Sequence, residues 1–449
     1  MSELIGSKES REEKKRILKE LLKRIHEGED MEKLKQEFLD VLRSTSPLEI
    51  PVIEQELVKE GISPHDIARM CDIHVDLFRE SVAGSLDIDD IPEGHPLHTY
   101  YLENKEIVKD AEMLNLYARS LKDTESEEGK RRVLEVIKNL VNGMRMIGYT
   151  HYNKEEMLLF PYLERRGLTA VPTVLWTKHD DVRFEIRALA GFVSEAEREL
   201  TDENIDKVVK HAQKTASDVI DIVFREENIL YPTVKVLLEP GEWYAIKLEE
   251  DSIGHYKVKP KDWKPEGVKP IYPHEVKKGI SLDDIMNLPQ HILQTVKGLA
   301  TGDLTPDTSE IKRDGDIELH EGYMLPKEID ALFRTLPFDI TFIDADDRVR
   351  FFSGGHRIFA RNKTILGRKV ELCHPPKSVH IVKKILKAFK EGKKDVAEFW
   401  IPFAGRFIHI RYFPVRGENG EYLGTVEVVQ DITDIKKLEG EKRLLDWKD

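Results

Sequence analysis

Two stretches of this chain repeat one pattern, HYNKEEMLLFP at 151 to 161 and IVFREENILYP at 222 to 232. Each reads as a helix with an apolar face, a Glu-Glu pair and a closing aromatic-Pro. Proline has no N–H to donate and is expected to end each helix there. Two matching helices in one bundle predict a single site between them. His151 and Glu155 stand one helical turn apart on the same face, as two ligands of one ion must. His179 and Glu226 add an imidazole and a carboxylate from two other predicted helices. His95 and His98 sit at the start of the first helix, where His95 reads equally well as a helix cap. Imidazole and carboxylate from facing helices are the ligands of non-haem iron or manganese in four-helix bundles, with zinc a further candidate.

Length and charge bound the rest. A chain of 449 residues holds about three domains, each able to bury its own core. The net charge of −14 argues against a nucleic-acid partner, because phosphate binding needs a basic surface. MSELIGSKESREEKK lacks the apolar run of a secretory signal, and no stretch is apolar enough for a membrane span. Cys71 and Cys373 fall in separate predicted domains, so no structural disulfide is expected and the cytoplasm is the default location.

Through GHPLHTYYLEN, HYNKEEMLLFP, TKHDDVR and FREENILYP, the stretch from 94 to 236 resembles a hemerythrin-like (HHE cation-binding) domain. The resemblance implies a four-helix up-down bundle around a carboxylate-bridged non-haem di-iron centre, in a family that binds or senses oxygen, responds to iron or repairs iron–sulfur clusters. It carries His151 and Glu155 onto the second helix, His179 onto the third and Glu226 onto the fourth as metal ligands. Two positions depart from the family pattern. Ile222 stands where the fourth helix should carry a histidine, and Asn104 follows Glu103 where the first helix often carries one. His98, about 9 Å earlier along a helix axis, is the candidate substitute. The centre is therefore expected as a reduced, rearranged or mononuclear site, with a metal-free bundle as the alternative.

Ahead of the bundle, residues 11–85 read as helices. Ser63 and Pro64 open one that carries Ile67, Met70, Cys71, Val75 and Phe78 on one face. SPHDIARMCDIHVDLF resembles part of a helical domain of unknown function that often precedes hemerythrin-like domains, and a dimerisation or docking role is expected for it. Cys71 and His74, a turn apart, read as a buried thiol beside a partly exposed imidazole rather than half of a metal site. Arg183, one turn after His179, is a candidate hydrogen-bond donor to a metal-bridging carboxylate.

Residues 240–325, with Trp243, Tyr244 and Trp263 among Pro, Gly, Lys and Glu, read as an ordered linker or small subdomain with short helices near 282 to 296. From 326 to 435 two β-rich runs around the turn DADD form a hairpin. Short helices, a longer helix over KSVHIVKKILKAFKEGK and three more strands follow. This order, with LGRKV and the closing DIT, resembles a PAS domain: an α+β fold with an antiparallel sheet that senses, dimerises and sometimes holds haem or flavin. Cys373, His374 and His380 flank the helix from which haem-binding members present their proximal histidine, so His374 and His380 are the haem candidates. Residues 436–449 are a charged tail with helical potential.

The reading that follows is a cytoplasmic sensor or regulator, with enzymatic activity left open. Its non-haem iron responds to oxygen, redox state or nitric oxide, and the PAS domain relays the change to a protein partner or within a homodimer. The alternatives are a di-iron protein of iron–sulfur cluster repair or of peroxide or nitric-oxide handling, and a metal-free interaction scaffold.

Overall fold

A computed structural model describes residues 90–280, 306–355 and 357–442, together with 16, 17, 20 and 24. The expectations for Ser63, Pro64, Cys71, His74 and the helices near 282 to 296 lie outside the described residues. The chain divides into two compact units, up to Glu310 and from Ile311.

In the first unit, the apolar residues of four long helices recur every three or four positions, and that spacing decides which face is buried. Ile107, Ala111, Leu114, Ala118 and Leu121 line α1 (Pro96–Asp123), and Leu134, Ile137, Val141 and Met144 line α2 (Glu127–Tyr149). Short turns join successive helices. Ser126 accepts from the Gly129 N–H at the start of α2. Three further helical pieces continue the second rod, α3 (His151–Lys154), the π-helical turn Glu155–Leu159 and α4 (Phe160–Arg165), before α5 (Ala170–Arg198) turns back. The fourth rod is α6 (Asp202–Arg225), the π turn Glu226–Leu230 and α7 (Tyr231–Leu237). α2 packs on α1 and α5, and α6 packs on both as well, closing the ring around one core.

Neither Pro161 nor Pro232 ends its helix, contrary to the expectation from their missing N–H groups. The Phe160 N–H reaches the Glu155 carbonyl and the Tyr231 N–H reaches the Glu226 carbonyl, each widening the helix by one residue just ahead of the proline. A proline ring collides with the preceding turn of a regular helix, and the wider turn makes room for it. The helices then continue as α4 and α7. Both π turns begin on the glutamates singled out by the repeated pattern.

The stretch expected as a linker packs on the bundle up to residue 280. In α8 (Pro240–Ile253), Trp243 and Ile246 join a second core with Leu159, Phe160, Leu230 and Tyr231. Arg166 donates from Nη2 to both Glu242 oxygens at 2.7 and 2.8 Å, with both side chains buried. Gly254, at φ 94°, ends α8 in a conformation that disfavours a side chain and turns His255 and Tyr256 inward. The reason is aromatic and charged anchoring: the Tyr256 hydroxyl bonds Asp110 inside the bundle, and Lys257 pairs with the same carboxylate.

His95 caps α1, its Nδ1 accepting the Leu97 N–H at 3.1 Å, and its ring lies 4.7 Å from Trp243 and 4.6 Å from Trp263. Burial, with the positive charges around it, lowers its pKa to about 4. The native chain therefore holds His95 neutral where the unfolded chain would protonate it. Its stabilising contribution is complete above about pH 6.5 and lost as the pH falls towards 4, worth about 3 kcal/mol across that window. Denaturant unfolding of wild type and His95→Asn between pH 7 and 4.5 is expected to show the steeper acid loss in wild type.

In the second unit β1 (Ile317–Leu319) and β2 (Gly322–Met324) form a small hairpin before α9 (Pro326–Thr335). A five-stranded antiparallel sheet follows, in the order β4 (Val349–Phe352), β3 (Asp339–Asp344), β7 (Tyr422–Asp431), β6 (Arg406–Arg416), β5 (Ala397–Phe403). The DADD hairpin and the three late strands form as expected, and α10 (Val379–Lys390) buries Leu386 and Phe389. A cavity of about 280 Å³ lies among Ile343, Ile385, Leu386, Phe399 and Tyr412.

Candidate metal centre

The π turns bring Glu155 and Glu226 together in the bundle, opposite His151 from α3 and His179 from α5. All four side chains are fully buried. His151 Nε2 lies 3.4 Å from Glu226 Oε2 and 3.7 Å from Glu155 Oε1. His179 Nε2 lies 3.5 Å from Glu155 Oε2 and 3.9 Å from Glu226 Oε1. Two imidazoles thus point their ε-nitrogens at one pair of carboxylates.

The δ-nitrogens are held by further carboxylates. His151 Nδ1 pairs with Glu103 Oε2 at 2.6 Å, and His179 Nδ1 pairs with Glu156 Oε1 at 2.8 Å. A carboxylate on the far nitrogen fixes a metal-binding imidazole's tautomer and orientation. Arg183 donates to Glu156 at 2.9 Å, so it steadies the carboxylate behind His179 rather than one between the histidines. Glu103 is gripped by the Lys154 ammonium at 2.6 Å and by the Tyr256 N–H at 2.9 Å. Lys154 in turn meets His255 Nδ1 at 3.1 Å, whose other nitrogen pairs with Asp251.

The charges are in tension. Burial and the facing Glu226 charge push the Glu155 carboxyl well above its usual range. Burial opposes charge on His151, yet Glu226 and Glu103 together push it up to about 10. On His179 burial wins and its pKa falls. Glu155 Oε2, Glu226 Oε1 and His179 Nε2 are buried with no hydrogen-bond partner. Orphaned polar atoms converging from two carboxylates and an imidazole fit a cation, which relieves the repulsion and satisfies all three. Among the described residues His151, Glu155 and Glu226 offer donors within 4.8 Å of one another. Glu250, Asp251 and His255 do so too, but Lys247 and Lys154 already occupy that group.

His98 does not join. It is half-buried near Glu93, at the first turn of α1, one and a half turns short of the point where Glu103 and Asn104 face inward. Asn104 is buried, donating to Glu227 at 3.4 Å, and Ile222 belongs to the apolar core. Sequence reasoning gave no role to Glu103, Glu156, Lys154 or Tyr231, whose hydroxyl donates to Glu155 Oε1 at 3.0 Å. The doubled glutamates carried the missed signal: the first of the first pair faces the centre and the second orients a histidine.

In the second unit His374 lines the cavity, with Nδ1 at 2.9 Å from the Val370 carbonyl, whereas His380 is exposed and outside it. The structure does not bring the two haem candidates together. The cavity falls just short of the range for drug-sized ligands.

Residues 95–234 match the family described as the hemerythrin HHE cation binding domain. They form a hemerythrin domain. Residues 329–433 match a PAS domain family, and residues 18–84, almost all outside the described residues, match a family of unknown function, DUF438. Among solved structures, the chain is similar to a C-terminal domain from Streptococcus mutans, at 30% identity over 28% of this chain and 100% of that one, with a TM-score of 0.27. It is also similar to the PAS domain of a protein from Colwellia psychrerythraea, at 21% identity over 24% of this chain and 97% of that one, with a TM-score of 0.20. No curated protein matches it. The hemerythrin domain ends before Glu242, Asp251, His255 and Tyr256, so the groups behind Lys154 and Glu103 come from beyond it. No helix among the described residues is long and apolar enough to cross a membrane.

Proposed function

We propose that this chain is a metal-dependent sensor or regulator whose hemerythrin domain holds non-haem iron through His151, Glu155, His179 and Glu226. The single observation that carries the reading is the set of three partnerless buried atoms, Glu155 Oε2, Glu226 Oε1 and His179 Nε2, the last lying 3.5 and 3.9 Å from the other two. Iron bound there supplies a redox couple and a position for a small ligand such as oxygen or nitric oxide. The chain's own residues do the rest. Glu103 and Glu156 hold the two δ-nitrogens, and Tyr100, Tyr152 and Phe160 exclude bulk water with fully buried rings. Ile222, in the apolar core, contributes no donor to the centre. The PAS domain is the relay to a protein partner or a second copy.

The test is metal content per chain, with absorption spectra, on full-length protein purified without oxygen and then exposed to air or nitric oxide. Stoichiometric iron with a spectrum that changes on exposure is expected. A chain that takes up no iron even after ferrous reconstitution would sink the proposal. A second outcome concerns Glu156. Without that carboxylate His179 loses its orienting partner, so Glu156→Ala is expected to weaken iron binding about 10–100-fold in a competitive chelator titration.

A further inference from the structure

The two repeated stretches align residue for residue, and two of their differences are complementary. The first carries His151 and Phe160; the second carries Ile222 and Tyr231 at the matching positions. Where the imidazole is lost, an oxygen is gained five residues beyond the shared glutamate. Tyr231 is fully buried, and its hydroxyl stands 3.0 Å from Glu155 Oε1 and 3.5 Å from His151 Nε2. Both atoms belong to residues assigned to the metal. Phe160, its counterpart, only stacks near His179, at 6.1 Å between ring centres. Tyr100 and Tyr152 are as deeply buried, but their hydroxyls bond none of the donors and have no partner. Tyr152 offers its ring face instead, stacked at 4.0 Å on His179.

We infer that Tyr231 is a further oxygen ligand of the ion held by His151, Glu155 and Glu226, standing in for the imidazole that Ile222 cannot supply. The inference rests on the metal-binding reading above. The side chain follows the π turn directly, so the feature that sets Glu226 into the pocket also sets the phenol there. Oxygen donors suit the harder, ferric state, which makes the centre more oxygen-rich than a histidine-complete one. With iron bound, ligation would be a substitution without electron transfer: the oxygen–metal bond would form as the O–H bond breaks, and the proton would pass to Glu155 Oε1, the acceptor already 3.0 Å from the hydroxyl. A bound ion would be the largest local charge there and would favour the phenolate form of Tyr231.

Full-length chain loaded with ferrous iron under anoxia and then oxidised decides the matter. The expected result is a visible phenolate-to-ferric charge-transfer band whose resonance Raman ring modes shift when the protein carries ring-deuterated tyrosine. Tyr231→Phe should abolish the band, keep iron per chain within about twofold of wild type, and move the ferric/ferrous potential positive. Tyr100→Phe and Tyr152→Phe should keep the band, which assigns it to Tyr231 even if Tyr231→Phe fails to fold. Iron without such a band, or a band that survives Tyr231→Phe, overturns the assignment and leaves the metal reading standing. Absence of iron from wild type overturns both.

Discussion

Ferrous iron added without oxygen to the metal-free chain is expected to stabilise the bundle by about 4 kcal/mol at a free concentration about a thousandfold above Kd, and Glu226→Gln to remove that gain. Glu226 faces both histidines and Glu155, so its loss takes a carboxylate from each donor pair. The same substitution should act in the opposite direction on the metal-free protein. There burial and the facing Glu226 push the Glu155 carboxyl well above its usual range, and a neutral amide at 226 removes the Glu226 part of that opposition. Thermal unfolding of wild type and Glu226→Gln, each with and without iron, reads both effects. If the variant is less stable than wild type in both states, the two carboxylates are not in conflict and the site is not built around a cation.

Lys154→Met is expected to destabilise the bundle by about 3–5 kcal/mol, the cost of removing one partner of a buried ion pair. The Lys154 ammonium is fully buried, 2.6 Å from Glu103 and 5.1 Å from the centre of the Tyr100 ring. Methionine fills the same volume, so the loss is charge rather than packing. It leaves Glu103 with the His151, Tyr256 and His255 contacts, the last at 3.5 Å, and takes the Lys154 ammonium from His255. Adding Glu103→Gln should recover at least half of the lost stability, because the stranded charge goes with it. Denaturant midpoints for the two single variants and the double variant supply the cycle. Additive losses would mean that Lys154 acts through packing.

Lys154 also shows where a sequence stops being informative. It occupies an inward position on the helix that carries His151 and Glu155, and a lysine there reads as solvated until something is known to face it. What faces it comes from Glu103 and from His255, 101 residues away. His98 is the reverse case. Its residue type suggested a ligand, but helical phase puts Glu103, not His98, beside His151.

Periodicity and residue chemistry alone determined the helical faces, the His151–Glu155 pair, the matching Glu226, the capping possibility at His95 and the order of strands in the second unit. Each depends on neighbours within a turn or a strand, where backbone geometry fixes which side chains share a face. The tertiary structure decided that Pro161 and Pro232 widen their helices instead of ending them. It also decided that Glu103 and Glu156 hold the histidines, that Tyr231 reaches the donor cluster, and that residues 240–280 belong to the bundle. Those outcomes depend on which faces meet across the core, and the balance of burial against buried charge that selects them acts between residues that sequence spacing never brings together.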